Sequence, residues 1–215
     1  ARVQSGAGIA GSAAVSGAAV HYPGGSLPMN APPSPRRPGL WHGLALLVTV
    51  VVAHLLTVWA VPRVAMYLVM NGREARAMDM RNRAVFVPPV TARSRSVVMP
   101  SPDLLYAVCV FDLSQGAVHV TANPRLSTYW SIALYAANSD NFFVLNDHQA
   151  AGQPVDLWLL PPNNGANGRP LPPGAQGIVP PSREGFLVLR VLTGDYEAEK
   201  SFLEPARRTL SCQPT

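Results

Sequence analysis

From residue 38 to residue 62 the sequence has no Asp, Glu, Lys or Arg. A segment that long without charge has no place on a water-facing surface. Acids are also missing from residues 1–37, which hold only Arg2, Arg36 and Arg37 and so carry +3. Residues 63–100 hold seven Arg against Glu74 and Asp79, giving +5, whereas residues 101–215 hold seven basic and ten acidic groups, giving −3. The basic charge is therefore a belt beside the uncharged stretch, not a patch on the folded part. That excludes the usual pattern of a nucleic-acid binder and suits a membrane surface. Cysteine is nearly absent: there are two, Cys109 and Cys212, far apart, and five scattered histidines. A zinc centre, which needs clustered Cys and His, is excluded. Neither G-x-S-x-G nor S-x-x-K occurs, so neither of those nucleophile signatures is available.

The uncharged stretch itself is the strongest signal. "PGLWHGLALLVTVVVAHLLTVWAVP" runs from Pro38 to Pro62. As a helix, Leu40 to Val61 spans roughly 33 Å, enough for a bilayer core of about 30 Å. Trp41 and Trp59 stand near its two ends, as interfacial aromatics do. The spacing predicts a single transmembrane helix within residues 39–70, continuing past a kink at Pro62. Arg63, Arg73, Arg76, Arg81 and Arg83 then reach lipid phosphates or acidic groups on a partner, and Arg36 and Arg37 do so on the other side. His54 is the anomaly. An ionisable group inside a span is a functional candidate by default; the plainer reading is a neutral ring hydrogen-bonded to a carbonyl or to a neighbouring helix.

Residues 1–38 are an extended arm rich in Gly, Ala, Ser and Pro, which alone cannot offset its ordering entropy and is expected to lie along a partner protein. Its "GAGIAG", Gly6 to Gly11, matches the dinucleotide fingerprint only by composition, since no strand precedes it and no helix follows. Residues 71–100 are expected to be a basic juxtamembrane linker. Residues 101–215 form the folded domain. "LLYAVCVFDL", "AVHVTA", "TYWSIALYA", "NFFVLND", "VDLWLL" and "GFLVLRVL" are strand-like, with turn residues between them. Residues 161–177 make a long loop. Residues 195–210 are helical, acidic early and basic late, with Pro205 dividing or kinking the helix. The fold class is thus a single transmembrane α-helix plus a mainly antiparallel, sandwich-like β domain with a C-terminal helix.

The two cysteines leave two readings. A bridge would clip the C-terminal tail to the sheet and persist only in an oxidising compartment such as the periplasm; the alternative is two buried thiols. The positive charges after the span point the other way, to a cytoplasmic C-terminal side.

Two resemblances bear on this. Cys109, Phe111, Asp112, Leu113, Ser114 and Gly116 form C-x-F-D-L-S-x-G. With the closing Cys212 and the His54 and Pro62 of the span, they resemble small membrane-anchored bacterial proteins catalogued as domain of unknown function twelve fifty-four. That resemblance implies a periplasmic β domain with the N-terminus in the cytoplasm of a bacterial inner or intracytoplasmic membrane. Locally, "VVVAHLLTVWAVP" is similar to the helix of light-harvesting β-polypeptides of purple bacteria. This implies His54 as an axial ligand of bacteriochlorophyll, with the imidazole bound to magnesium.

The expected function is that of a non-enzymatic accessory subunit of a larger inner-membrane complex. The leading specific form is a reaction-centre–light-harvesting complex; a respiratory complex is the alternative. A second reading is a stand-alone periplasmic binding module, with Tyr129, Trp130, Tyr135, Phe142 and Phe143 lining a groove instead of packing as core. An enzyme built around Asp112, Ser114, Asp147 or His148 has the least support, and His119 is expected to be a surface or half-buried strand residue.

Overall fold

The computed structural model describes residues 17, 39–94, 100–162 and 171–215. The chain divides into two units, residues 1–43 and 44–215. Apart from Gly17, the arm expected over residues 1–38, with Arg36 and Arg37, lies outside the described residues. The described part of the first unit ends with the opening turn of a helix, where Trp41 is exposed.

That helix, α1 (Leu40–Asn71), has 32 residues and continues through Pro62 as one element. Its most apolar window has a mean hydropathy of 2.5 and is 0% buried within the chain. By length and composition it is able to cross a membrane. Two of its polar side chains are satisfied locally: Thr49 and Thr57 donate their hydroxyls to the carbonyls of Ala45 and Ala53, each at 2.8 Å. Backbone carbonyls one turn back are the usual partner for a hydroxyl in an apolar helix.

The segment expected as a linker over residues 71–100 is folded onto the domain for much of its length. A short helix α2 (Arg73–Ala77) follows α1, and β1 (Val85–Phe86) pairs with β2 (Leu104–Asp112). Between them Met80 accepts a bond from the Val110 N–H, and the Asn82 N–H donates to the Val110 carbonyl. This corrects the linker expectation. Its physical cause is that β2 has two buried faces, and this segment covers the outer one.

The remaining elements are β3 (Val118–Ala122), β4 (Trp130–Ala136), β5 (Asn141–Asn146), α3 (Asp147–Ala150), β6 (Val155–Leu159), β7 (Gln176–Ile178), β8 (Glu184–Leu192), α4 (Tyr196–Arg207) and β9 (Ser211–Pro214). Among the described residues one sheet has the order β1-β2-β8-β4-β5 and the other β7-β6-β3-β9. The pairs are antiparallel except β6 with β7, so the 161–177 loop ends in a short parallel edge strand. Three residues are too few to show a period. The closing tail is likewise a strand, β9, hydrogen-bonded to β3. Pro205 does not divide α4, which runs on to Arg207. It stands close enough to the C-terminus for the helix to end soon after it.

The period of two decides which side chains meet. Leu105, Ala107, Cys109 and Phe111 of β2 face inward with Ile132, Leu134, Leu187 and Leu189, against Val118, Val120, Leu157 and Leu159 of the other sheet. The intervening Val108 and Val110 face outward with Ala133 and Val188 and meet Met70, Ala75 and Met80. The unbroken apolar run of β2 is thus two alternating patterns, each with its own cover. Trp130 is buried in the inner cluster, where Phe142 and Phe143 pack at its edge, while Tyr129 is exposed and Tyr135 joins the outer cluster.

Gly185 marks the tightest approach in the first sheet. It lies opposite Phe111 on β2 and Ala136 on β4. A Cβ there would collide with the Phe111 ring and the Tyr135 carbonyl. Gly185→Ala is expected to cost about 1–3 kcal/mol, the usual penalty for overpacking. Urea unfolding of the variant beside wild type measures it, and equal midpoints would mean that the sheet yields there without strain.

Candidate functional site

The feature that chemistry and packing single out is the junction where α1 ends on the outer face of the first sheet. Met66 and Met70 come from the last turns of α1, Ala75 from α2, and Met80 from the segment after it; all pack over Val108, Val110, Ala133 and Val188. Methionine suits such a seam because its unbranched side chain fills irregular gaps. A polar network lies beside this apolar contact. Arg81 donates to Asp112 Oδ2 at 2.5 Å, to Glu184 Oε1 at 3.1 Å and to Asn71 Oδ1 at 3.0 Å. Asp112 and Glu184 are register partners across β2 and β8. One guanidinium therefore ties the last residue of α1 to the adjacent strands β2 and β8. Arg81 was expected to reach lipid or a partner; it pairs inside its own domain instead. Arg83 does the same with Asp79 at 3.1 Å, while Arg73 and Arg76 are exposed on α2.

Asp112 has a second task. Its Oδ1 accepts from the Ser114 N–H at 2.9 Å, and its own N–H donates to Asn82 Oδ1 at 2.7 Å. An Asp bonded to the N–H two residues on is an Asx turn. Burial pushes the Asp112 carboxyl up, but the bonds from Ser114 and the Arg81 guanidinium outweigh it and hold the group below the usual carboxylate range. Glu204 is similar: burial raises it, and Arg207 with Tyr196 and Arg208 brings it lower. A folded-state pKa below the unfolded one contributes stability that is complete above about pH 4 and is lost as pH falls through the depressed value. Wild-type stability is therefore expected to fall on acidification below about pH 4, with Asp112→Asn showing a shallower fall. Unfolding free energies over an acid pH series decide it, and identical slopes would remove Asp112 from the acid limb.

The C-x-F-D-L-S-x-G stretch can now be assigned residue by residue. Cys109 is bridged to Cys212, with Cα atoms 6.6 Å apart. Phe111 and Leu113 are core. Asp112 and Ser114 make the turn, and Gly116 takes φ +152°, a backbone that side chains disfavour. Each conspicuous residue of the motif has a structural task.

The histidines are dispersed. His54 is exposed on α1, and its ring makes no hydrogen bond within the chain among the described residues. The plainer carbonyl-bonded reading therefore finds no partner among the described residues. His148 is exposed, with Nε2 3.8 Å from Asp147 Oδ2, in the one-turn helix α3 that Asn146 and Gln149 close as a capping box. His119 is half-buried on the outer face of the second sheet. Its Nε2 lies 2.8 Å from Asp156 Oδ1, its ring stacks on Trp158 at 4.5 Å, and the Trp158 indole N–H donates to the same Asp156 oxygen at 3.1 Å. Sequence reading missed this group. The alternation in "VHVTA" and "VDLWL" puts His119 on one face of its strand and Asp156 and Trp158 on one face of theirs, but the strand register that joins them is long-range information. Among the described residues no cluster of three His, Cys, Asp or Glu is placed to hold a metal.

An apolar helix joined to a two-sheet sandwich, with a disulfide between the sheets, is the class of protein these features define. The family model described as "Protein of unknown function (DUF1254)" matches residues 81–214. The chain belongs to that family. No curated protein matches it. Among solved structures it is similar to the VPA0106 protein from Vibrio parahaemolyticus, with a TM-score of 0.56 at 9% identity, covering 74% of this chain and 36% of that one. A putative uncharacterized protein from Burkholderia cenocepacia matches with a TM-score of 0.41 at 16% identity, over 56% of this chain and 34% of that one. The first likeness is one of fold alone, and this chain spans about 36% of that protein's length.

Proposed function

We propose that this protein is a non-enzymatic accessory subunit of a larger bacterial inner-membrane complex. In this reading α1 crosses the membrane once, residues 1–38 lie in the cytoplasm and the β domain stands in the periplasm. The observation that carries it is the junction: Met66, Met70 and Asn71 fasten the end of α1 to the domain, while the apolar window of the same helix is 0% buried by its own chain. A domain held at a set angle on a helix with a bare apolar face is suited to fixing geometry between neighbours. A simple tether would need no such seam. The Cys109–Cys212 bridge supports the oxidising side for the domain.

The photosynthetic form of the reading rests on the span alone. His54 is exposed on α1, has no hydrogen-bond partner among the described residues, and so is free to act as an axial ligand. Bacteriochlorophyll bound there would supply a near-infrared absorption. The experiment is extraction from native membranes in mild detergent, followed by identification of what co-purifies and its absorption spectrum. Stoichiometric membrane subunits are expected, with a near-infrared band that His54→Ala removes. Respiratory subunits without pigment would move the role to that kind of complex. A lone, colourless protein would contradict the accessory role and turn attention to a ligand in the β domain.

A further inference from the structure

We propose that the groove between the last turns of α1 and the edge of the first sheet is a binding site for one membrane phospholipid, with the lipid phosphate on Arg63. The groove holds about 680 Å³. Trp59, Ala60, Arg63, Val64 and Tyr67 form its helix wall, and Ala137 and Pro181 belong to the facing wall. The proposal rests on α1 being a membrane span and is independent of the accessory role.

Charge is the first argument. Arg63 is the one cation in the lining. Its guanidinium lies over the Trp59 ring at 4.6 Å and donates through Nη1 to the Trp59 carbonyl at 2.6 Å. Among the described residues no carboxylate stands within ion-pair distance of it. Glu184, the one acid in the lining, is already engaged by Arg81 at 3.1 Å. A guanidinium has five N–H donors in a planar fork, so most of the Arg63 fork remains for an anion. Phosphate oxygens match that fork geometry.

Depth is the second. Leu40 to Val61 covers roughly 33 Å of helix, about the thickness of the hydrocarbon core. Arg63 then stands in the headgroup layer, flanked by Trp59 and Tyr67, residue types that belong there. Continuity is the third. Leu56 and Val52, one and two turns before Ala60 on the same helix face, are exposed apolar residues, a path for acyl chains leading down from the phosphate. A free phosphate would satisfy Arg63 and leave the apolar walls wet. A phospholipid covers both.

The test uses the full chain, purified in mild detergent, titrated with phosphatidylglycerol and weighed by native mass spectrometry. One lipid per chain is expected to be retained. Arg63→Gln is expected to weaken retention roughly tenfold, the worth of one charge-assisted hydrogen bond. Ala60→Phe keeps the charge, fills the groove and is expected to weaken retention as well. Circular dichroism of both variants checks that the helix and the sandwich are intact. No retained lipid on wild type, as when a polypeptide owns the groove, would overturn the proposal, and so would wild-type retention by both variants. Millimolar inorganic phosphate is expected to leave the lipid bound; complete displacement would make this a free-phosphate site. A protein that purifies alone but with its lipid would defeat the accessory role and uphold this site.

Discussion

Replacing Arg207 by alanine is expected to destabilise the domain by about 3–5 kcal/mol, the usual result of removing one partner of a buried ion pair. Arg207 ends α4, and its side chain is 3% exposed. It donates through Nη1 to the Val87 carbonyl at 2.6 Å and the Tyr106 carbonyl at 2.9 Å, and through Nη2 to both oxygens of Glu204 at 2.7 Å. The same guanidinium lies near the Phe86 ring of β1. One side chain therefore fastens three pieces together: the C-terminal helix, the edge strand β1 with the residue after it, and β2. Its loss takes a charged donor from both carbonyls and leaves Glu204 only the longer contacts from Tyr196 at 3.3 Å and Arg208 at 3.4 Å, in a place water reaches poorly. Arg207→Lys is expected to recover only part of the loss, because one ammonium cannot reproduce the planar fork. Urea denaturation of wild type, Arg207→Ala and Arg207→Lys measures both differences. An alanine variant within about 0.5 kcal/mol of wild type, the range of an ordinary surface change, would mean that α4 and β1 are held by other contacts.

The second large effect concerns the bridge. Cys109 on β2 and Cys212 on β9 belong to different sheets, are both buried, and stand 103 residues apart in sequence. The bridge therefore clamps the sandwich across its core and shortens the unfolded chain by a long loop. Removing it in Cys109→Ala/Cys212→Ala is expected to cost about 2–4 kcal/mol and to lower the melting temperature by roughly 10 °C. Scanning calorimetry of the double variant, beside wild type with and without reductant, reads this directly. Melting that is indifferent to reductant and to the double substitution would show that the inner apolar cluster alone holds the sheets together.

The sequence made some of this plain and hid the rest for physical reasons. The apolar helix, and strands such as Val118–Ala122 and Val155–Leu159, announce themselves because their periods are local. Cys109 and Cys212 were visible as a candidate pair, but the tail that bears Cys212 turned out to be a strand of the second sheet. The segment after α1 reads as a linker from its sequence alone. Its order comes from Met70, Ala75 and Met80 meeting the outward residues of β2, β4 and β8. That contact depends on chain far away in sequence, and a two-residue strand such as β1 carries no period of its own. Asp112 was conspicuous in its motif and its turn was legible. Its partner Arg81, 31 residues earlier, looked like one more arginine of a basic belt. Charge totals do not distinguish a cation facing lipid from one facing a carboxylate of its own domain.

The central claim is that the apolar helix and the β domain move as one body. Genetically encoded spin labels at Leu56 on the helix and Val144 on β5, both exposed, with the full chain in lipid nanodiscs, test it most directly through their distance distribution. A single narrow distribution is predicted, because the Met66–Met70 seam and the Asn71–Arg81–Asp112 network leave no hinge between the labels. A broad or multiply peaked distribution would contradict it and make the helix a flexible tether.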